Sequence, residues 1–160
     1  MPQRRRVRFP DYETQPGAYL VTILTRNHGN LFGDIVKGEM KLNVVGNAIR
    51  EEWMRNIMHH RDVRMDAYVI MPNHLHGIIT FLEASTRLVH TMNELAEVIR
   101  RFKLMSKHRF NQISETSGIP LWQAGYYEHA IRDDVDLVST RDTVAKNPSR
   151  WRRDRYFSVR

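Results

Sequence analysis

The chain has 160 residues, 41% hydrophobic and 27% charged, with a formal net charge of +7 from 25 Lys and Arg against 18 Asp and Glu. That mix suits one folded domain with a single core and excludes an intrinsically disordered chain. The longest apolar runs, AYLVTIL and GIITFL, are far too short to span a bilayer, and the absence of cysteine excludes disulfides and thiolate metal sites.

In chain order, GAYLVTILT (17–25) is rich in β-branched and aromatic residues and predicts a strand. FGDIVKGEMKLN (32–43) predicts a hairpin that turns at Lys37-Gly38. Asn43 then caps a helix over 44–60, with Val45, Ile49, Trp53 and Ile57 as its buried stripe. VRMDAYVIM (63–71) and GIITFL (77–82) predict two strands joined tightly through Pro72-Asn73. A helix over 91–110 sets Leu95, Val98, Phe102 and Met105 on one side and basic residues largely on the other. Residues 111–120 read as a loop, and 121–132 hold a last strand. Asp133 and Asp134 suit the positive start of a final helix, which Asn147-Pro148 stops. This order is α+β: a ferredoxin-like antiparallel sheet with helices packed on one face plus a C-terminal helix.

The positive charge is blocked. Arg4, Arg5, Arg6 and Arg8 form one cluster, Arg100, Arg101, Lys103, Lys107 and Arg109 a second, and the arginines of 149–160 a third. Outside them the chain is net acidic. Such blocks favour a polyanion, because Lys and Arg displace counterions from phosphates. Phe9, Tyr12, Trp122 and Tyr126 are available to stack on unpaired bases. Trp53 and Phe102 lie on apolar stripes and read as core. Arg132 either contacts DNA or pairs with Asp133 or Asp134. The basic start MPQRRRVRFP lacks a signal peptide's apolar stretch, so a cytoplasmic location with no membrane partner is the expectation.

His74 and His76 stand two apart in MPNHLHGIIT. If this stretch enters a strand, both imidazoles leave one face and Leu75 turns into the core. Two neutral imidazoles on one face can hold a divalent metal. With 8 His in 160 positions, chance supplies a His-x-His about 0.4 times per chain, so the pair gains its weight from its setting after a Pro-Asn turn. His59-His60 are adjacent at a helix end and read as surface. Glu128-His129, adjacent on a strand, face opposite ways and read as structural supports.

YVIMPNHLHGIIT resembles the signature of the HUH single-tyrosine transposases, in which two His flank a bulky hydrophobic residue. PGAYLVTILTRN, LFGDIVKGEMKLNVVGNAI and the following EEW resemble the family's N-terminal half. LWQAGYYEHAIRDDVDL and KNPSRW resemble its C-terminal half in the branch of REP-associated tyrosine transposases. The combination of HLH with WQxxYYEHxIR and NPxRW is the specific part. The resemblance covers roughly residues 12–151 of a single 1–160 domain, leaving a basic arm (1–11) and a basic tail (152–160). It implies a ferredoxin-like protein that nicks and rejoins single-stranded DNA, often beside a hairpin, through a 5′-phosphotyrosine. It also implies Mg²⁺ or Mn²⁺ bound by the two His and a polar residue of the C-terminal helix, in a monomer or a homodimer.

Carried onto this chain, the metal set is His74, His76 and Asn147, which includes no negative ligand. The family tyrosine, five residues before the proline of NPxRW, falls on Thr143. A threonine hydroxyl is a ring shorter and far less acidic than a phenol, whose pKa is about 10, and it needs an activating base. Three explanations stand: strand transfer is lost and DNA binding kept, another tyrosine serves (Tyr126 or Tyr127), or the change is particular to this chain. The YY pair matches the family motif at positions that are not the nucleophile, and packing or base stacking is its simpler role. Loss of cleavage ranks first. The alternatives in other classes are a non-catalytic DNA-hairpin binding protein and a metal-dependent phosphodiesterase that uses water.

Overall fold

A computed structural model describes residues 4–5, 17–82 and 88–159; of 4–5 and 88–93 it describes the backbone. The strands are β1 (Arg4–Arg5), β2 (Ala18–Leu24), β3 (Gly33–Val36), β4 (Glu39–Leu42), β5 (Val63–Met71), β6 (His74–Phe81) and β7 (Tyr126–Ala130). The helices are α1 (Val44–His59), α2 (Leu88–Ile113) and α3 (Asp134–Lys146), followed by a 3-10 segment, Pro148–Arg153.

One antiparallel sheet has the order β1-β7-β2-β6-β5. Its four long strands, connected β2-α1-β5 and β6-α2-β7, make the two interleaved βαβ units of the ferredoxin-like fold. The β3–β4 hairpin is a separate ribbon inserted before α1. Lys37 and Gly38 turn it with φ of +53° and +79°, the twist that suits a two-residue hairpin loop. Asn43 caps α1, accepting from Gly46 N at 2.8 Å, and replaces one of the helix's orphan N–H partners.

Pleating divides the sheet into two faces. Tyr19, Val21 and Ile23 of β2 and Leu75, Ile79 and Phe81 of β6 join Ile49, Trp53, Leu95 and Phe102 of α1 and α2 in one apolar cluster. Gly77 lies on this face because a Cβ there would sit 2.5 Å from Trp53 Cζ2. The other face of β6 carries His74 and His76, and α3 with the 3-10 segment covers it.

The stripe of α2 departs from the expected one. Met105 is 38% exposed, while Ile99 and Ser106 are buried. Ser106 Oγ donates to Phe102 O at 2.6 Å and accepts from Trp122 Nε1 at 2.8 Å. The helix therefore turns a satisfied hydroxyl, rather than a thioether, toward the indole. The helix also runs to Ile113, into the segment read as loop, and β6 begins at His74 rather than at Gly77.

Candidate functional site

Strand pairing sets the floor of the site. On β6, His74 and His76 stand opposite Leu24 and Thr22 of β2, and Thr22 stands opposite Tyr127 of β7. The two imidazoles meet edge to face with ring centres 4.6 Å apart, and Leu75 is fully buried on the other side, as the period of two requires.

Asn73 orients the first imidazole. Its Nδ2 donates to His28 O at 3.2 Å and to Tyr156 O at 2.7 Å. Its Oδ1 is thereby turned toward His74 Nδ1, 2.8 Å away. An amide oxygen only accepts, so Nδ1 carries the proton and Nε2 presents a bare lone pair. That lone pair faces two further oxygens: Asn147 Oδ1 at 3.3 Å and Asp154 Oδ2 at 3.8 Å. Asn147 Nδ2 donates to Asp154 Oδ2 at 2.6 Å, which fixes that amide with its oxygen toward His74. His74 Nε2 thus faces two oxygens with no proton to either, an arrangement that a cation relieves. His76 Nδ1 is bonded to Thr22 Oγ1 at 2.7 Å.

Burial, and after it the neighbouring His76, holds the His74 imidazolium well below its ordinary pKa. Burial also lowers His76, to about 4. Both rings are therefore neutral at pH 7, the state that ligates metal. One ligand atom each from His74, His76 and Asp154 lies within 4.8 Å of the others. Asp154 brings to this group the negative charge that the two-His, one-Asn reading lacked, and the three residues could hold a metal ion. Asp154 was hidden in a stretch that reads only as a basic tail, and Asn73 was hidden as a turn residue.

A cavity of about 280 Å³ opens beside this cluster, lined among others by His76, Tyr127, Thr143, Asn147, Asp154 and Tyr156. Thr143 of α3 and Asn147, which caps that helix's C-terminus, both line it. Thr143 Oγ1 is engaged with Ser139 O at 3.1 Å, so its proton has a partner within its own helix. Tyr126 packs against the apolar cluster instead. Tyr156, which sequence reasoning missed, is 8% exposed; its ring centre is 5.0 Å from that of His74 and 6.3 Å from that of Tyr127. Burial pushes its phenol pKa up.

The basic residues divide. The side chains of Arg4 and Arg5, and Arg6, Phe9 and Tyr12 as a whole, lie outside the described residues. Arg100, Arg101, Lys103, Lys107 and Arg109 ride on α2, which packs on the sheet face opposite the His pair. Of these, Arg100 bonds Glu97 at 2.7 and 2.8 Å, Arg109 reaches Glu51 at 3.4 Å, and Lys103 donates to Gln123 O at 2.8 Å. Arg132 pairs with Asp136 at 3.3 Å, not with Asp133 or Asp134. Asp133 is occupied as the cap of α3, accepting from Asp136 N. Asp136 also bonds His129 at 3.0 Å, and with the Arg132 contacts this depresses its carboxyl to about 2. Trp122 lies in the core beside Phe32 and Phe102.

No protein-family model matches the chain. The sheet order is that of the ferredoxin-like fold, with the His pair on an interior strand. A solved REP-associated tyrosine transposase bound to a REP hairpin shares this fold with a TM-score of 0.61, at 20% identity over 89% of this chain and 73% of that one. In sequence, an uncharacterized protein of Haemophilus influenzae is 34% identical over 169 residues, spanning 96% of this chain and 93% of its own length. The chain belongs to one family with that protein. Among the described residues no helix is long and apolar enough to cross a membrane.

Proposed function

We propose that the chain is a DNA-binding protein of the HUH transposase type. Its ligand is single-stranded or hairpin DNA, and its site holds Mn²⁺ or Mg²⁺ on His74, His76 and Asp154 with the Asn147 carbonyl beside them. The observation that carries this reading is the bare Nε2 of His74 facing two oxygen lone pairs with no proton to share. A mixed set of imidazole nitrogen, carboxylate and amide oxygen suits Mn²⁺ better than Mg²⁺. Bound there, such an ion polarises a phosphate oxygen.

The chain's own residues do the rest. Asn73 and Thr22 hold the imidazoles in orientation, as partners behind metal ligands do. Asp154 adds the charge that keeps an ion in place before DNA arrives. Thr143 stands where the resemblance puts a tyrosine, and its hydroxyl is bonded back to its own helix. The reading is therefore of DNA binding without a protein–DNA covalent bond. The likeness in fold to a transposase that holds a REP hairpin supports a hairpin as the first probe.

Labelled single-stranded hairpin DNA with Mn²⁺, analysed on a native gel for binding and on a denaturing gel for adducts and nicks, tests this. The unmodified chain should bind and give no covalent band, Thr143→Tyr should give one, and His74→Ala added to Thr143→Tyr should remove it. A covalent band in the unmodified chain would overturn the loss of the nucleophile and direct mutation to Tyr127 and Tyr156. Nicking without an adduct would establish water as the attacking group. Absence of any DNA binding would sink the reading altogether.

A further inference from the structure

The cavity beside the His74 cluster has a second wall, away from the proposed ligands. His129 of β7 lines it as well as His76, Asn147 and Asp154. Strand pairing fixes where. Thr22 stands between His76 and Tyr127, and His129 follows Tyr127 by two residues, opposite Leu20. His76, Tyr127 and His129 therefore leave the same face of the sheet. Two strand spacings and two residues separate His76 from His129, which sets their α-carbons about 12 Å apart. A phosphate group with one water behind it fills such a gap.

Three observations bear on what His129 does there. First, its Nε2 lies 3.0 and 3.1 Å from the two oxygens of Asp136. The bond from His129, then that from Arg132 N at 3.1 Å, keep this carboxyl ionised. A carboxylate only accepts, so the neutral ring keeps its proton on Nε2 and its lone pair on Nδ1. Second, that Nδ1 has no hydrogen-bond partner among the described residues, and the side chain is 41% exposed. An imidazole oriented by a carboxylate, with its other nitrogen unengaged at a cavity, has the arrangement of a general base. Third, Thr143 lines the same cavity, and its hydroxyl is bonded to Ser139 O. A tyrosine ring at this position would occupy part of that space, which threonine leaves open. The cavity, of about 280 Å³, has room for several waters at about 30 Å³ each.

From this we infer that His129 is the general base for a water, and that the chain hydrolyses a phosphodiester bond of the DNA it binds. The water's proton passes to Nδ1 as its oxygen bonds to phosphorus. The bond from phosphorus to one sugar oxygen breaks, that oxygen takes a proton from solvent, and the imidazolium returns its own. The products are a phosphate monoester and an alcohol, with no oxidant or covalent intermediate needed. Asp136 is a positioning residue that holds the tautomer and steadies the imidazolium. This rests on the DNA-binding reading above and adds a reaction to it.

The test is incubation with labelled hairpin DNA and Mn²⁺ in water enriched in ¹⁸O. The unmodified chain should cut without an adduct, and mass spectrometry should find one ¹⁸O in the new terminal phosphate. His129→Ala should cut about 100-fold more slowly, the low end of what a general base contributes. Its DNA affinity on native gels and its Mn²⁺ affinity by calorimetry should not change. Added imidazole should restore part of the His129→Ala rate, which it would not do for a lost structural contact. His129→Gln keeps an N–H for Asp136 but no base, so it should be as slow, and it serves if His129→Ala is unstable. In the metal-free chain, ¹H–¹⁵N correlation should show His129 protonated on Nε2 in its neutral form. Asp136→Asn, whose oxygen Arg132 N retains, should turn its amide N–H to Nε2 and move the proton to Nδ1. Cutting should then slow by more than about tenfold, as a wrong tautomer does in a catalytic triad. Binding without cutting, cutting through an adduct or a phosphate without ¹⁸O overturns hydrolysis and leaves DNA binding intact. Full-rate cutting by His129→Gln, or an Nδ1–H tautomer in the unmodified chain, overturns the role of His129. Failure to bind the DNA overturns both readings.

Discussion

The two faces of strand β6 are built by different physics. Leu75, Ile79 and Phe81 join rings and aliphatic chains under α1 and α2, where stability comes from area withdrawn from water and is shared among many contacts. His74, Asn73 and Asn147, on the face toward α3, are also buried, yet they are polar and tied by hydrogen bonds to one another, to Asp154 and to the backbone oxygens of His28 and Tyr156. An apolar core tolerates change of shape at modest loss, whereas a buried polar network that loses one partner strands the others. Damage to the helix side should therefore lower stability. Damage to the α3 side should alter binding first.

The largest effect is expected on the helix side. Trp53 is fully buried and meets Phe102 with ring centres 5.1 Å apart. Trp53→Ala should cost about 3–5 kcal/mol in urea unfolding. Gly77→Ala at the same contact should cost about 1–3 kcal/mol by overpacking, because its new Cβ would meet the indole at 2.5 Å. A neutral Gly77→Ala would mean that the close approach of α1 to β6 is not as described.

On the other face the counterpart is Asn73→Ala. It leaves all proposed ligands in place but frees His74 Nδ1 and removes two donors to backbone oxygens. Loss of such a partner behind a ligand typically costs about 10–100-fold in metal affinity. Titration calorimetry with Mn²⁺ should show that drop for Asn73→Ala and little change for Trp53→Phe, which keeps the core filled. Equal losses in the two variants would dissolve the distinction between the faces.

Acid should also act from the polar side. An unfolded imidazole takes its proton near 6.5, but folded His76 does so only near 4 and His74 also well below 6.5. Between those values the unfolded chain binds more protons, so stability is full above pH 6.5 and falls as pH drops toward 4. The lowered carboxyls Asp66 and Asp136 lose their contribution only below their ordinary 3.8, so the two windows separate. Metal-free urea unfolding at pH 7.5, 6 and 5 should show the decline, and His76→Gln should flatten part of it. A level profile over that range would contradict neutral, buried rings.

Most of the helix side was legible in the sequence, because period and volume announce themselves. Asn43, Ile49, Trp53, the Lys37-Gly38 turn and the Asp133 cap all follow from local patterns. Ser106 did not, since a polar residue on an apolar stripe breaks the pattern that finds the stripe. The His pair was visible through its spacing of two. Asn73, Asp154 and Tyr156 were not, because their roles come from contacts such as Asn73 to Tyr156, 83 positions apart in sequence. No local period encodes such a contact, and charge counting merged Asp154 into its arginine-rich surroundings.

The smallest expected effect separates the two groups of basic residues. Arg100 on α2 is exposed and already holds Glu97 through two hydrogen bonds, on the face of the sheet away from the His pair. Its removal deletes a solvent-screened pair and a charge whose field is partly cancelled. Arg100→Ala should therefore leave the melting temperature unchanged within error and weaken DNA binding by less than Arg152→Ala does at the same salt. An exposed arginine with no acidic partner gives its whole charge to a phosphate, whereas a paired one must first give up its carboxylate. A larger loss from Arg100→Ala than from Arg152→Ala would place the DNA across α2, and the sheet face that carries the histidines would then not be the face that meets the strand.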